Sequence, residues 1–402
     1  MSRYGLSESV VAGASGHPNL HNAVNGAVND LDAITAAGAV YLDEKQFTGA
    51  NDDARLTNAM SYAAAQTYPP FIVLGNRSHT FSTARTLYNG FRLRGPGGPA
   101  NPEIGSADGA HNPCKVQINT SGTWLTSNAS QLWNMAVMGG IGFRGTSSAQ
   151  FLGGSAVFWS GLIRDVSFSD FKGVLGSYAT AVKLNLFHVD GFVEFQNGYD
   201  TPIHIAGSDN HLFLGTTNID SDPAYATAGG VTGHPHVWFD YLEKSFIGPI
   251  YVTCESQWQG LRVTGPGYNS GSDNQGGPNW IHGAIIEGRN KSQPCYGSVV
   301  RVEGGITSFT DCWFGFGMSS PASMSHSPTD AGMIHQTSGA LSVQGCLYDR
   351  ASGVAESVPF IYSAGGIARA YNTWHGSNGG TWSGLPRVTG AGVTADSSVT
   401  VV

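Results

Sequence analysis

Four carboxylates lie at recurring points of the chain where a pair of acids could cleave a glycosidic bond. Glu255 and Glu287 each follow a bend between short β-rich segments, and Asp240 and Glu303 each end such a segment. Glycoside hydrolysis generally needs two carboxyl groups about 5 to 9.5 Å apart. We expect Glu255 and Glu287 to be the first catalytic candidates and Asp240 and Glu303 the second. Ordinary solvated or hydrogen-bonded turn carboxylates are the alternative.

Aromatic residues accompany these acids and predict a sugar-binding surface. Sugar rings present apolar C–H faces that stack on aromatic rings, and Asn, Asp and Gln side chains bind the hydroxyl groups. The alternative for each tryptophan is a place in the core or in a subunit interface. The candidate substrate-binding residues are Trp238, Trp258, Tyr268, Trp280 and Asp273.

Three segments rich in Gly, Ser, Asn and Pro predict long surface loops, at residues 222–235, 265–279 and 317–330. Long loops on a rigid scaffold are where binding residues commonly lie. His234 and His236 could chelate a metal, and residues 269–274 have enough oxygen ligands for calcium, but neither group has a diagnostic spacing. We therefore predict no metal and no cofactor, with calcium as the alternative.

The composition argues against several partners. Only 12% of the 402 residues are charged, the formal net charge is −8 and no basic block occurs, so a nucleic acid is not the expected ligand. No apolar run approaches the length of a membrane span, so no membrane insertion is expected. The five cysteines show no CxxC spacing, which predicts buried free thiols. The N-terminus lacks the apolar core of a secretory signal, which predicts synthesis in a cytoplasm and exit by another route, such as cell lysis.

A recurring bend after residue 130 predicts the architecture. Each instance has an apolar residue, two turn-tolerant residues and a second inward residue, and a Gly, Asn or Asp at the bend suits a corner with positive φ. The spacing is that of a parallel β-helix whose coils are lengthened by insertions. The instances begin at Met138, Phe168, Val189, Leu214, Ile247, Ile281, Phe309, Val343 and Ala370.

A second type of short β-rich segment, which we call the head strand, precedes each bend. The head strands alternate with the bends along the chain, so both series indicate the same repeat. About eight or nine such coils, stacked at roughly 4.8 Å, form a rod of about 40 Å. Each inward residue then meets its equivalent one coil away, so Cys312 and Cys346 are expected to be neighbours in the core. The predicted fold is an all-β, single-stranded parallel β-helix over residues 45–375.

Residues 1–44 predict a short helical arm. Their apolar residues follow the a/d spacing of a coiled coil. Only about two heptads are present, and an isolated helix of that length is marginal in water, so the seam needs partner chains or the following domain. We favour a parallel bundle that joins identical subunits over a helix lying on its own domain. The a/d residues are Leu20, Val24, Ala27, Leu31 and Ile34.

Residues 48–95 resemble the opening of the pectate-lyase-like right-handed β-helix proteins. Asp52 and Asp53 lead into a capping helix and are expected to be structural, and residues 71–75 then read as a buried strand. Together with an arm that reads Gly-His-Pro-Asn-Leu-His-Asn at residues 16–22, the chain resembles bacteriophage tail spikes and minor tail-fibre proteins. The resemblance implies a homotrimer in the virion, docked to other tail or baseplate proteins through the arm, with residues 376–402 as a C-terminal cap.

Three functions stay open. The first is a trimeric receptor-binding protein, made in the host cytoplasm and acting outside the cell, that binds bacterial surface polysaccharide. The second is an enzyme of the same fold, a glycoside hydrolase or polysaccharide lyase, that depolymerises that glycan. The third is a structural component of the tail. The motif sets of polygalacturonases and pectate lyases do not occur in the chain, so the resemblance brings no catalytic residue with it.

Overall fold

Each strand pairs in parallel with the equivalent strand one coil away, and this pairing defines the fold. The structure is a computed structural model, and it describes residues 38–43, 47–96, 114–196, 198–206, 212–215, 217–221, 234–242, 245–254, 259–265, 278–288, 298–316, 333–351, 359–378, 387–390, 392–396 and 400–401. All the described strands belong to one sheet that winds along the chain. The predicted all-β parallel β-helix is confirmed, and its right-handed winding follows the handedness of parallel crossover connections.

The described elements are one helix and thirty-one short or bent strands. The helix α1 spans Asp52–Ala64. It is too short to cross a membrane, so the described residues contain no helix that could do so. The strands of the first coils are β1 Ala39–Tyr41, β2 Phe71–Val73, β3 Ser78–Phe81, β4 Arg85–Thr86, β5 Arg92–Arg94, β6 Cys114–Ile118, β7 Thr123–Thr126, β8 Gln131–Arg144, β9 Gln150–Leu152, β10 Val157–Ser169, β11 Gly173–Leu175 and β12 Val182–Gln196. The later strands are β13 Ile203–Ala206, β14 Leu212–Leu214, β15 Thr217–Ser221, β16 Pro235–Asp240, β17 Ser245–Ile247, β18 Ile250–Cys254, β19 Gln259–Thr264, β20 Asn279–His282, β21 Ile285–Gly288, β22 Val300–Thr310, β23 Trp313–Phe316, β24 Ile334–Gln344, β25 Leu347–Ala351, β26 Ile361–Ser363, β27 Ile367–Tyr371, β28 Trp374–Asn378, β29 Arg387–Gly390, β30 Val393–Ala395 and β31 Thr400–Val401.

One ladder of apolar residues before the corners runs through the solenoid and confirms the repeat. Two of the predicted instances are misplaced. Met138 lies one residue beyond the ladder, in register with Arg164, and Phe168 lies in the segment after the corner, in register with Phe143. Phe168 precedes a second left-handed bend at Asp170, and sequence alone does not distinguish the two bends. The ladder is Val137, Ile163, Val189, Leu214, Ile247, Ile281, Phe309, Val343 and Ala370.

Stacked aromatic rings fill the N-terminal half of the core. The centroid of the Phe168 ring lies 5.4 Å from that of Phe143 and 5.3 Å from that of Phe195, with the rings nearly parallel. Phe151 contacts Phe168 edge to face at 4.7 Å. All four side chains are buried. The interior is therefore held by contacts between residues of successive coils, as in other solenoids.

The predicted neighbours Cys312 and Cys346 lie in contact inside the core. The Cys312 backbone N–H donates to Cys346 Sγ at 3.4 Å, and both cysteines are buried and free. The hydrogen bond to Cys312 and burial hold the pKa of the Cys346 thiol above its ordinary value. Burial likewise raises the pKa of the Cys114 thiol to about 12. The Cys346 and Cys114 thiols therefore stay protonated and act as core residues.

The helix α1 caps the N-terminal end of the solenoid. The Asn51 side chain accepts a hydrogen bond from the Ala54 backbone N–H at 2.9 Å, which begins the helix. Arg77 contacts Asp43 and Asp52 at 2.7 and 2.6 Å. The predicted structural role of Asp52 is thus confirmed.

Strand pairing extends past both predicted ends of the solenoid. The strand β1 pairs with β2 before residue 45, and β29, β30 and β31 continue the ladders after residue 375. Residues 1–37 lie outside the described part of the chain, so the helical arm stays a prediction.

Candidate functional site

The outward side chains form three faces, and the sequence candidates are distributed over all of them. Face A belongs to the head strands and carries Trp238, Asp240 and Glu303. Face B belongs to the segments just before the corners and carries Trp280. Face C belongs to the strands after the corners and carries Glu287. The remaining candidates, Glu255, Trp258, Tyr268 and Asp273, lie outside the described residues, and their roles stay predictions.

On face A the Trp238 ring is covered on both sides by its neighbours. The His204 ring, one coil before, lies parallel to it with centroids 4.0 Å apart. The Arg262 guanidinium, one coil after, lies 4.5 Å from the ring centroid. The indole N–H donates to Thr264 Oγ1 at 2.8 Å. Trp238 therefore has no free ring face for a sugar in this conformation.

The acids Asp240 and Glu303 lie in one column of face A, two coils apart. Asp240 is in register with Thr264, and Thr264 is in register with Glu303. Two coil spacings correspond to about 9.6 Å. This separation lies at the upper limit of the range of about 6.5–9.5 Å for acids that hydrolyse a glycoside with inversion.

Charge at these acids does not favour acid catalysis. Burial raises the pKa of Asp240, but the nearby His204 ring, a hydrogen bond from Thr264 and the positive charge of Arg262 outweigh it, so the net pKa is lowered. A general acid must keep its proton near neutral pH. Glu303 contacts Arg262 at 2.6 Å and Arg301 at 2.5 Å. Both acids of this column therefore lie beside positively charged side chains.

On face C, Glu287 is buried beside a tyrosine. Tyr251 Oη donates to Glu287 Oε2 at 2.9 Å, and Glu287 lies in register with Thr253 and Gly315 in the adjacent coils. The hydrogen bond and burial define a positioned carboxyl group. The predicted pairing with Glu255 stays untested.

Face B presents an exposed aromatic stack. The Phe246 and Trp280 rings lie 4.8 Å apart and nearly parallel, and the residues are 48% and 38% exposed. The register continues from Trp280 to Ser308 and Ser342. A neighbouring column carries His282, Thr310 and Gln344. Exposed aromatic rings beside hydroxyl and amide groups are suited to binding a sugar.

The residue missing from the sequence candidates is Phe246. A strand of three residues with two apolar side chains resembles a buried segment. A signal does exist, because the assignment of Ile247 as an inward corner residue places Phe246 outward by the two-residue period of a strand.

The two histidines of the predicted chelating motif have different surroundings. His234 Nδ1 lies 2.6 Å from Asp200 Oδ1, and the His234 ring stacks on Tyr178. His236 is fully buried. Within the described residues, no group of three His, Cys, Asp or Glu side chains could hold a metal ion.

Acid is expected to destabilise the protein through His236. Burial lowers its pKa to about 3, so between pH 6.5 and 3 the unfolded chain binds a proton that the folded chain does not. The free energy of unfolding carries no penalty from His236 above pH 6.5. Below that pH the penalty grows by about 1.4 kcal/mol per pH unit, until the pH reaches the folded-state pKa. His236→Gln should flatten that slope when urea midpoints are measured from pH 7 to 4. An unchanged slope would contradict the assignment.

Comparisons with known proteins concern the fold. No family model matches the chain, and no curated protein matches its sequence. Similar solved structures include the tailspike protein of an Acinetobacter phage, with 10% identity and a TM-score of 0.49 over 91% of this chain and 61% of that one. The Agl-KA catalytic domain has 11% identity and a TM-score of 0.44, over 91% and 68%. A tailspike mutant of E. coli bacteriophage HK620 in complex with a pentasaccharide has 10% identity and a TM-score of 0.39, over 92% of this chain and 67% of that one.

The parallel pairing of successive strands defines the class of protein by its fold. The chain is a parallel β-helix protein, and the solved structures similar to it include phage tailspike proteins and an alpha-1,3-glucanase. It spans 61% of the Acinetobacter phage protein's length.

Proposed function

We propose that this protein is a tail-spike-type receptor-binding protein that holds bacterial surface polysaccharide on face B. The observation that carries the proposal is the exposed stack of Phe246 and Trp280 beside a column of serines. Exposed aromatic rings cost free energy in a monomer, so a stack of them marks an interaction site. Sugar C–H faces match such rings.

The polar surroundings support a glycan more than an anionic or strongly charged ligand. Ser308, Ser342 and Gln344 are uncharged, and the chain as a whole is weakly charged and acidic. Hydroxyl and amide groups exchange hydrogen bonds with sugar hydroxyls without the cost of desolvating a charge. The proposed ligand is a polysaccharide whose rings stack on Trp280.

The virion role and the homotrimer are part of the proposal and rest on the resemblance of the arm and of the capped solenoid to tail spikes. Three weak sites on one particle bind a repetitive polymer far more tightly than one site does. Docking to other tail proteins is assigned to the arm. Sedimentation at micromolar concentration tests the trimer, and a monomer would contradict it.

Trp280→Ala is expected to weaken polysaccharide binding about tenfold or more, because a lost stacking contact of about 1.4 kcal/mol corresponds to a factor of ten. An array of bacterial capsular and O-antigen polysaccharides, followed by calorimetry on the best ligand, measures the effect. Trp374→Ala removes a tryptophan that is 70% exposed in another part of the solenoid and serves as the matched control. Equal binding by both variants would contradict the site.

The same samples decide between binding and cleavage. We expect no new reducing ends and no unsaturated sugars, because Asp240 is ionised and Glu303 is engaged by two arginines. If cleavage occurs, the protein is a depolymerase instead, and Glu287→Gln and Glu303→Gln identify the acid. Failure to bind any polysaccharide would leave the structural role.

A further inference from the structure

Large exposed hydrophobic side chains follow one edge of the solenoid, where the head strands turn into face B. Trp133, Leu186 and Tyr241 lie at this turn in three different coils. Phe246 lies just after this turn in the same coil as Tyr241, and Trp280 occupies the equivalent position one coil later. Single exposed hydrophobic residues need no explanation, but a row along one edge indicates a partner.

The backbone at this edge holds an unfavourable conformation. Asn134, Ser160, Leu186 and Tyr241 have φ values of 58°, 50°, 48° and 58°. Asn accepts the left-handed region readily, but Leu and Tyr do not. Bulky exposed side chains in a strained conformation do not serve core packing. Such positions are often retained for binding.

The N-terminal end of the row is a pair of stacked tryptophans. The Trp133 and Trp159 rings lie 5.1 Å apart and nearly parallel, and Trp133 is 40% exposed. Asn89 Oδ1 accepts from the Trp133 backbone N–H, and Asn134 Oδ1 accepts from Ser160 Oγ, so both amide nitrogens remain donors at the edge of the pair.

The Trp159 indole N–H has no acceptor among the described residues, but it is buried and a bound sugar does not reach it. The Asn89 and Asn134 amide nitrogens are therefore the donors that border the stacked rings. Two stacked rings bordered by unused donors have the chemistry of a sugar site.

We propose that Trp133 and Trp159 form a second carbohydrate site, and that the ligand is an extended polysaccharide lying lengthwise along this edge. The inference rests on the proposed function at Trp280. From Trp133 to Trp280 the register passes through β10, β12, β14 and β17, a rise of about 24 Å. A single sugar cannot reach both stacks, whereas a polymer segment of several sugars can.

A second copy of the chain fits this edge less well. A stable interface needs about 800 Å² from each partner, packed over a broad patch. The exposed hydrophobic residues here are spread along successive coils rather than gathered in one broad patch, with Phe246 and Trp280 three register positions beyond Trp133, and amide donors lie beside Trp133. A long, narrow polymer with hydroxyl groups matches that shape and that polarity.

The test compares long and short ligands. The probe is the polysaccharide with the strongest array signal, used intact and as fragments of one repeating unit. We expect the intact polymer to bind the native protein at least about tenfold more tightly per repeating unit than the fragment, because two linked contacts act together. Trp133→Ala should remove this advantage and leave fragment binding at the Trp280 site unchanged. Trp133→Phe, which keeps a ring, should retain most of it, and Trp374→Ala all of it.

The outcomes separate this inference from the proposed function. If the native protein binds no polysaccharide, the proposed function fails. If it binds the intact polymer and Trp133→Ala does not weaken that binding, only the second site fails. If Trp133→Ala instead changes the sedimentation of the protein to a smaller species, the edge is an interface between copies, and the second site is overturned. Circular dichroism shows whether each variant is folded. If Trp133→Ala is not folded, the binding of the intact polymer by Trp133→Phe decides the test.

Discussion

Phe168→Ala is expected to lower the free energy of unfolding by about 3–5 kcal/mol, the cost of removing a large ring from a close-packed core. The ring lies between Phe143 and Phe195 of the adjacent coils and contacts Phe151 edge to face. Its removal takes away transfer free energy and leaves a cavity that the stacked coils cannot collapse to fill. Urea unfolding followed by circular dichroism measures the loss.

The matched control is Phe246→Ala, the same substitution at an exposed ring of face B. It should change the free energy of unfolding by less than about 1 kcal/mol, because the side chain is already half in water. Equal urea midpoints for the two variants would contradict the inward position of Phe168. In a solenoid, neighbouring coils can unfold separately, so the transition should be followed at more than one wavelength.

Asp53→Ala is the second large effect, with an expected loss of about 3–5 kcal/mol in the capping region. Asp53 contacts the buried Arg85 and accepts backbone hydrogen bonds from Ser82 at 2.8 Å and Thr83 at 3.2 Å. Removing one partner leaves the other charge buried and unpaired. Hydrogen exchange of β2 to β5, together with urea unfolding, measures how far the cap opens.

Asp43→Ala is the control for that prediction. Asp43 is also an acid bonded to an arginine of the capping region, Arg77, but both side chains are about one-third exposed. Exposed ion pairs contribute only about 0–1 kcal/mol. If Asp43→Ala destabilised the protein as much as Asp53→Ala, burial of the Arg85 pair would not be the cause.

Much of the fold could be predicted because a β-helix repeats its local pattern. The corners at Ile247, Phe309 and Val343 each show an apolar residue before a Gly, Asp or Pro bend, and the structure stacks them. The contact between Cys312 and Cys346 follows from the same repeat, because the two residues occupy equivalent positions in successive coils. The misplaced instance at Phe168 shows the limit, since a second left-handed bend at Asp170 has the same local pattern as a corner.

The candidate site could be predicted only in part. The exposure of Trp280 agrees with the sugar-binding hypothesis, while Trp238 lies between His204 and Arg262. Both tryptophans occupy outward positions of short strands beside an insertion, so local sequence treats them alike. The difference depends on which side chains the neighbouring coils place above and below each ring.

The amino-acid sequence by itself determined which side chains point inward and outward within each strand, because alternation along a strand and the bend residues at a corner are local properties. Only the tertiary structure decided which residues of different coils stack, including Trp133 on Trp159 and Phe246 on Trp280. Insertions of unequal length separate these partners along the chain. Their register is set by the hydrogen bonds between successive coils, which no local pattern specifies.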